Sequence, residues 1–298
     1  MKKKGVLTIF VVFGFLATVF FLFMLAALGG ADSGLALTGK GIGVVEILGP
    51  IMDSKKAVEQ IESFAKNDNV KGIILRIDSP GGAVAPSQEI YYAVHEAKKK
   101  KKVYVSMGNL AASGGYYIAC AGDKIYALPG SVTGSIGVIT QITNVSELAE
   151  LAKIKMVTIK SGKHKDMGNP FREFSEDDRA VFTSMIDDIY EQFVTHIAES
   201  RGMEVEKVKS LADGRVYTGR QALANGLVDE LGPLQKVALD LGAEVGIEGK
   251  PALIYPPKDD DEFLKRLLEG SAQTITRGAL RSLSEASVPT FEYRYVGP

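Results

Sequence analysis

Apolar and polar positions divide the chain into stretches of different rhythm. Residues 5–30 carry no charge and are dominated by Val, Leu, Ile, Phe and Ala, behind the lysines Lys2, Lys3 and Lys4. At about 1.5 Å per residue, one helix of this run reaches across a bilayer core, and the preceding lysines keep its N-terminus cytoplasmic. The alternative is a cleaved secretory signal, for which Ala26-Ala-Leu-Gly29 offers small residues. The run exceeds the roughly 7 to 15 residues of a signal core, which favours a retained single-pass anchor. The small-residue and glycine stretch 31–40 reads as a linker.

From residue 41 the rhythm changes to short apolar strands alternating with amphipathic helices. Strands are predicted at 41–48, 70–77, 103–107, 124–128, 132–139 and 252–255, with an alternating one at 154–160. Helices are predicted at 54–66, 86–99, 146–153 and 233–241, and one starts near 116. The longest covers 175–201, where Val181, Met185, Ile189, Phe193 and Ile197 recur every fourth residue and make a stripe wide enough for a core or a subunit contact. Ser175 followed by acidic residues is an N-terminal capping signal, and Gly202 ends the helix. Strand and helix in alternation imply right-handed crossovers and a mostly parallel sheet with flanking helices. The expected organisation is an anchor at 1–30, a linker at 31–40, a catalytic-size domain at 41–256, and a C-terminal helix (263–283) and flexible tail within 257–298.

Charge and cysteine content narrow the functions. With 35 basic against 36 acidic residues, no overall field favours nucleic acid. The five lysines at 98–102 read as a solvated helix end rather than a lipid or nucleic-acid patch. A single cysteine, Cys120, excludes an intramolecular disulfide and reads as a buried structural thiol. Three histidines, His95, His164 and His196, argue against a histidine-rich metal site, and no metal or cofactor is expected.

Two stretches carry chemistry. In Asn109-Leu-Ala-Ala-Ser-Gly-Gly-Tyr116, Ser113 falls at a strand-to-helix turn, where a helix N-terminus favours a developing oxyanion and glycines admit a substrate carbonyl. Small residues there also serve plain helix-on-sheet packing, so the segment alone leaves both readings open. In Asp78-Ser-Pro-Gly-Gly82, a strand ends in a turn able to present backbone N–H groups.

These two motifs, with Thr133-Gly-Ser-Ile-Gly137 and Ser161-Gly-Lys-His-Lys-Asp166, resemble the signal peptide peptidase A family in its short, single-repeat bacterial form. The resemblance implies a Clp/crotonase-like spiral sheet and a membrane-anchored serine endopeptidase that degrades cleaved signal peptides. It implies Ser113 as nucleophile, Lys165 as general base and then acid, and Ser135 as the residue that orients the lysine. It also implies an oxyanion hole of Gly82 and Gly114, with Gly81 shaping the turn. Substrate contacts are expected near Val84, Val132 and Ile136. His164 suggests a Ser-His-Asp alternative, with Lys163 as a neighbouring decoy. Asp78, Asp123 and Asp166 read as turn and helix-start residues. The partners implied are signal peptides and other unfolded apolar peptides, membrane lipid at the anchor, and further copies of the chain, as an octameric ring in which neighbours complete the site. The domain then lies outside the cytoplasm. A crotonase-like acyl-CoA hydratase or thioesterase, and a noncatalytic membrane scaffold, are the competing functions.

Overall fold

The computed structural model describes residues 40–257 and 292–295. Among them no helix is long and apolar enough to cross a membrane; the predicted span at 5–30 and the predicted helix at 263–283 lie outside the described residues.

The elements run β1 (Gly41–Leu48), α1 (Lys55–Lys66), β2 (Val70–Ser79), β3 (Gly81–Ala83), α2 (Val84–Lys98), β4 (Lys102–Ala112), α3 (Gly114–Ala119), β5 (Lys124–Ala127) and β6 (Val132–Gly134). They continue α4 (Ser146–Leu151), α5 (Glu176–Arg201), α6 (Val205–Leu211), β7 (Val216–Thr218), α7 (Gly219–Ala224), β8 (Glu230–Leu231), α8 (Leu234–Glu244), β9 (Ala252–Ile254) and β10 (Glu292–Arg294).

The main sheet has the order β7-β6-β4-β2-β1-β9, with β5 pairing β4 and β8 pairing β5. Every pairing in it is parallel except β6 with β7, which agrees with the mostly parallel α/β expectation. Strand periodicity decides which side chains meet which helices. Val45, Ile47, Ile73, Leu75, Ile77, Val103, Val105 and Met107 join one core with Ile61, Ile90, Val94, Tyr117 and Phe193. The alternate positions Ile42, Val44, Ile74 and Tyr104 meet Val237 and Leu241 of α8 on the other face. Strands buried on both faces explain the near-continuous apolar runs of β1 and β2.

Helix α5 starts at a capping box, Ser175 receiving the Asp178 N–H and Asp178 receiving the Ser175 N–H, and ends at Gly202 with φ 61°. Its apolar stripe is used unevenly. Phe193, Val194 and Ile197 are buried, whereas Met185, nearer the start, is exposed. The lysine run is spent locally: Lys101 Nζ reaches Phe64 O and Asn67 O at the end of α1, Lys98 pairs with Asp123, and Lys102 with Glu244.

Three expectations need correction. Residues 154–160 are not a strand: they have no regular structure and are exposed throughout. Their alternation has β-forming character, but among the described residues no strand pairs with them. Of 132–139 only Val132–Gly134 is strand, because Ser135 turns the backbone at φ 49°. Within the stretch expected to be a flexible tail, Glu292–Arg294 forms a strand, β10, which pairs antiparallel with β3.

Candidate active site

The site grows from two adjacent strand ends. β2 and β4 are parallel neighbours, with Ser79 opposite Ala111. Asp78 holds this corner, its carboxylate accepting from the N–H of Leu110 at 3.1 Å and of Asn109 at 3.4 Å. Asp123 similarly accepts the Val103 N–H at 2.8 Å. Both aspartates serve the backbone, as expected.

Ser113 stands between β4 and α3 with φ 54° and ψ −116°, a conformation that L residues rarely adopt. Such a backbone costs on the order of 1–3 kcal/mol and persists only where the surroundings enforce it. Here the Ser113 N–H donates to Gly134 O at 2.8 Å and Tyr117 N–H donates to Ser113 O at 2.8 Å, while α3 is wholly buried. Ser135, the second non-glycine residue with positive φ near the site, is pinned by its N–H to Arg215 O at 2.8 Å. Ser113, Ser135 and Ile136 line one cleft of about 700 Å³, with Ile186 and Tyr190 from α5.

The glycine strand β3 supplies the other wall. The Ile51 N–H donates to Gly81 O at 2.9 Å and the Ala83 N–H donates to Ile51 O at 2.8 Å, so the N–H and carbonyl of Gly82 face the opposite edge. That edge is where Tyr293 of β10 lies as the register partner of Gly82. Tyr293 O is 2.0 Å from where a Cβ on Gly81 would stand and 3.1 Å from one on Gly114. Gly81 also has φ 91° and would bring its Cβ within 2.6 Å of the Gly114 nitrogen, so only glycine fits there. A peptide carbonyl of this chain's own tail, Tyr293 O, therefore lies close to the backbone of Gly81 and Gly114, with Tyr293 opposite Gly82.

The tail is anchored by Tyr293, which is fully buried. Its ring meets Phe193 at 4.6 Å and stacks on Tyr117 at 5.2 Å, and its hydroxyl donates to Ile189 O at 3.2 Å. Arg294 and Tyr295 close the same cleft as Ser113. Neither they nor Tyr293 were picked out from the sequence; the only available signal was the short alternation in Phe291-Glu-Tyr-Arg-Tyr295.

Other expected residues fall elsewhere. Val84 opens α2 and packs against the core, and Val132 lies on β6; neither lines the cleft. Lys165 is exposed on the loop 161–170 and is not among the cleft-lining residues around Ser113. His164 and Lys163 are exposed on the same loop, where Lys163 pairs with Asp177 at 2.5 Å. Cys120 is buried, and burial pushes its thiol up to about 12. Among the described residues no group of three His, Cys, Asp or Glu side chains comes together as a metal site needs.

Profiles of two families match the chain: Peptidase family S49 over residues 95–248 and Clp protease over residues 44–134. The chain belongs to peptidase family S49. This S49 member is 38% identical over 250 residues to a provisionally named protease of Synechocystis sp., covering 84% of this chain and 90% of the relative. It is 42% identical over 234 residues to a provisionally named signal peptide peptidase SppA of Enterococcus faecium, covering 78% of this chain and 67% of that one. The chloroplastic serine protease SPPA of Arabidopsis thaliana is 33% identical over 215 residues, of which this chain spans about a third (32%). The S49 chain is thus a serine peptidase of the signal peptide peptidase A family, which sets aside the hydratase and scaffold alternatives.

Proposed function

We propose that this peptidase cuts extended, apolar peptides, cleaved signal peptides among them, laid along β3 by strand addition. The carrying observation is β10: a peptide segment already runs antiparallel on Gly81–Ala83, with an aromatic side chain sunk between Tyr117 and Phe193. Main-chain pairing supplies affinity without sequence, and the pocket adds selectivity for apolar side chains. Ser113 Oγ attacks the carbonyl carbon lying at Gly82 and Gly114, whose N–H groups take the oxyanion. The neutral amine of Lys165 accepts the serine proton and then gives it to the leaving amine. Water, deprotonated by the same amine, cleaves the resulting ester and regenerates Ser113. Ser135, beside Ser113 in the cleft, orients the lysine.

Within one chain the lysine loop is exposed and the serine cleft lacks it. The loop follows an arm of exposed apolar residues, Leu148, Leu151, Ile154, Met156, Val157 and Ile159. Such a patch suits a protein partner. A second copy of the chain that covers the arm would desolvate Lys165 and bring it to the neighbour's Ser113, in a ring that admits only unfolded peptide. With the uncharged run at 5–30 as anchor, the ring stands on the outer face of the cell membrane.

Complementation tests the arrangement. Ser113→Ala and Lys165→Ala are each expected to be inactive, yet coassembly of the two restores about a quarter of the sites if lysine crosses between subunits. Inactivity of every mixture would defeat the crossed arrangement. A fully active Lys165→Ala protein would defeat the dyad itself.

A further inference from the structure

The loop 161–170 has no regular secondary structure, but one side chain ties it down. Arg172 Nη1 lies 2.5 Å from Asp178 Oδ2, and Nη2 lies 3.1 Å from Asp178 Oδ1. The same Nη2 donates to the backbone carbonyl of Asp166 at 3.0 Å and to its Oδ1 at 3.3 Å, while Nε sits 3.2 Å from Asp166 Oδ2. Nη1 also reaches Glu173 O at 2.8 Å. Asp166 takes a further contact from Lys160 Nζ at 2.6 Å.

The two carboxylates differ in what they hold. Asp178 belongs to the capping box of α5, and its side chain is 3% exposed. Asp166 is the residue after Lys165. One planar guanidinium therefore fixes the backbone next to Lys165 to the first turn of a helix that runs on into the core at Phe193 and Ile197. Along the way α5 presents Ile186 and Tyr190 to the cleft of Ser113. Exposed ion pairs contribute little to stability; here the carboxylates are shielded while the Arg172 side chain stays 29% exposed, and both carboxylates are engaged from two directions. The ordinary carboxylate pKa is depressed at both: at Asp178 chiefly by the Arg172 hydrogen bond, at Asp166 chiefly by the Lys160 hydrogen bond. The clamp consequently stays charged throughout the neutral range.

A guanidinium suits this task because its fork offers five donors in a fixed plane, enough for two carboxylates and a carbonyl. A lysine in its place keeps the charge but has one nitrogen on a flexible stem. Arg172, Asp166 and Asp178 are not among the residues that line the Ser113 cleft; Arg172 lines a neighbouring hollow that shares Thr140 and Ile186 with it.

We infer that Arg172 is a positioning residue for Lys165, clamping Asp166 to Asp178 so that the amine is presented from a fixed backbone. The inference rests on the assignment of Lys165 as the base. A misplacement of about 1 Å at a reacting group costs on the order of 100-fold in rate, and the clamp is what limits such excursions.

The experiment compares Arg172→Ala, Arg172→Lys and Asp166→Asn in the full chain, with rates divided by the concentration of sites titrated at Ser113 by a fluorophosphonate. Arg172→Ala is expected to lower kcat by about 10- to 100-fold with KM within about twofold. Arg172→Lys should remain close to Arg172→Ala, and guanidinium ion added to Arg172→Ala should restore part of kcat while leaving Lys165→Ala inactive. Asp166→Asn, which keeps the shape but weakens the clamp, should lower kcat in the same direction with a smaller factor. If Arg172→Ala fails to fold, Arg172→Lys and Asp166→Asn carry the comparison. Wild-type kcat per titrated site in Arg172→Lys and Asp166→Asn, with only thermal stability reduced, would overturn the positioning role while the dyad stood. An active Lys165→Ala enzyme would instead remove the dyad on which the inference rests.

Discussion

The region around Ser113 and the loop of Lys165, the proposed nucleophile and base of this peptidase, are built on opposite physical terms. Ser113 sits in a strained backbone held by Gly134 and Tyr117, between strands whose side chains are buried on both faces. Lys165 projects from an exposed loop preceded by apolar side chains facing solvent, with Val157 82% and Ile159 96% exposed. A nucleophile and its oxyanion donors gain from preorganisation, and the parallel sheet supplies it inside one chain. A base on an exposed, locally clamped loop gains its surroundings only when something covers it. Under the proposed dyad and assembly, one chain preforms the site for attack and a neighbour completes it for proton transfer.

The largest effect should come from the two reacting groups. Ser113→Ala and Lys165→Ala should each lower kcat/KM for an apolar peptide by about 10³-fold or more, and because the pair acts as a unit the double variant should be no worse than either. His164→Ala should keep nearly full activity, because the proposed base is its neighbour Lys165. A dead His164→Ala with an active Lys165→Ala would invert the assignment. With proton abstraction limiting, the rate should also climb toward alkaline pH as the neutral amine fills, and a flat profile into acid would contradict this.

Next in size should be the loss of the proposed assembly. Leu151→Asp combined with Ile159→Asp places charges on side chains that are 81% and 96% exposed, so the fold of a single chain should not notice. Activity should fall by about 10- to 100-fold, with a smaller particle by light scattering and an unchanged thermal midpoint. Full activity of a monomer would mean that one chain closes its own site and that the two halves differ only in appearance.

The comparison also explains what could be read in the chain beforehand. β1, β2 and β4 were legible because strands buried on both faces leave continuous apolar runs, and α5 because its cap, period and Gly202 agree. The turns at Gly81 and Ser113 were legible as strand ends rich in small residues, whereas the roles given to Ser113, Gly82 and Gly114 came from the family resemblance. The arm 154–160 was misread since its alternation looks like a strand and only tertiary structure shows that no described strand pairs with it. Strand β10 was missed for the converse reason: three residues pair across more than 200 positions, and nothing local announces Gly82 as the partner. Arg172 escaped because its value lies in joining Asp166 to Asp178, which spacing alone does not reveal.

A smaller effect is expected from the tail. Removing residues 292–298 frees β3 from a tethered strand that competes with substrate, so kcat/KM for a short peptide should rise by about two- to tenfold. Tyr293→Ala should act in the same direction, since it empties the place between Tyr117 and Phe193. A loss of activity in both variants, with intact folding, would show that the strand builds the site instead of occupying it.

The smallest functional effect, and the most direct probe of the contrast, comes from thiol chemistry. Cys120 follows α3, the helix that begins next to Ser113, and its burial pushes the thiol up to about 12. An unfolded thiol titrates near 8.5. The folded state therefore prefers the protonated form: this contribution to stability is complete below about pH 8.5 and is lost as pH rises toward 12. At pH 8 iodoacetamide should modify Cys120 only through opening of the α3 region, more slowly than a free thiol by on the order of 10³-fold or more. In a Cys120→Ala background, His164→Cys should react as a free thiol in a dissociated chain and more slowly once a neighbour covers the loop, with peptidase activity kept in both proteins. Concentration-dependent protection at position 164, with Cys120 protected at every concentration in the natural sequence, is the pattern expected if assembly completes only the lysine half. Rapid alkylation of Cys120 in the folded chain would show that the serine half opens as readily as the loop, and the contrast between a preformed and an assembled half would fail.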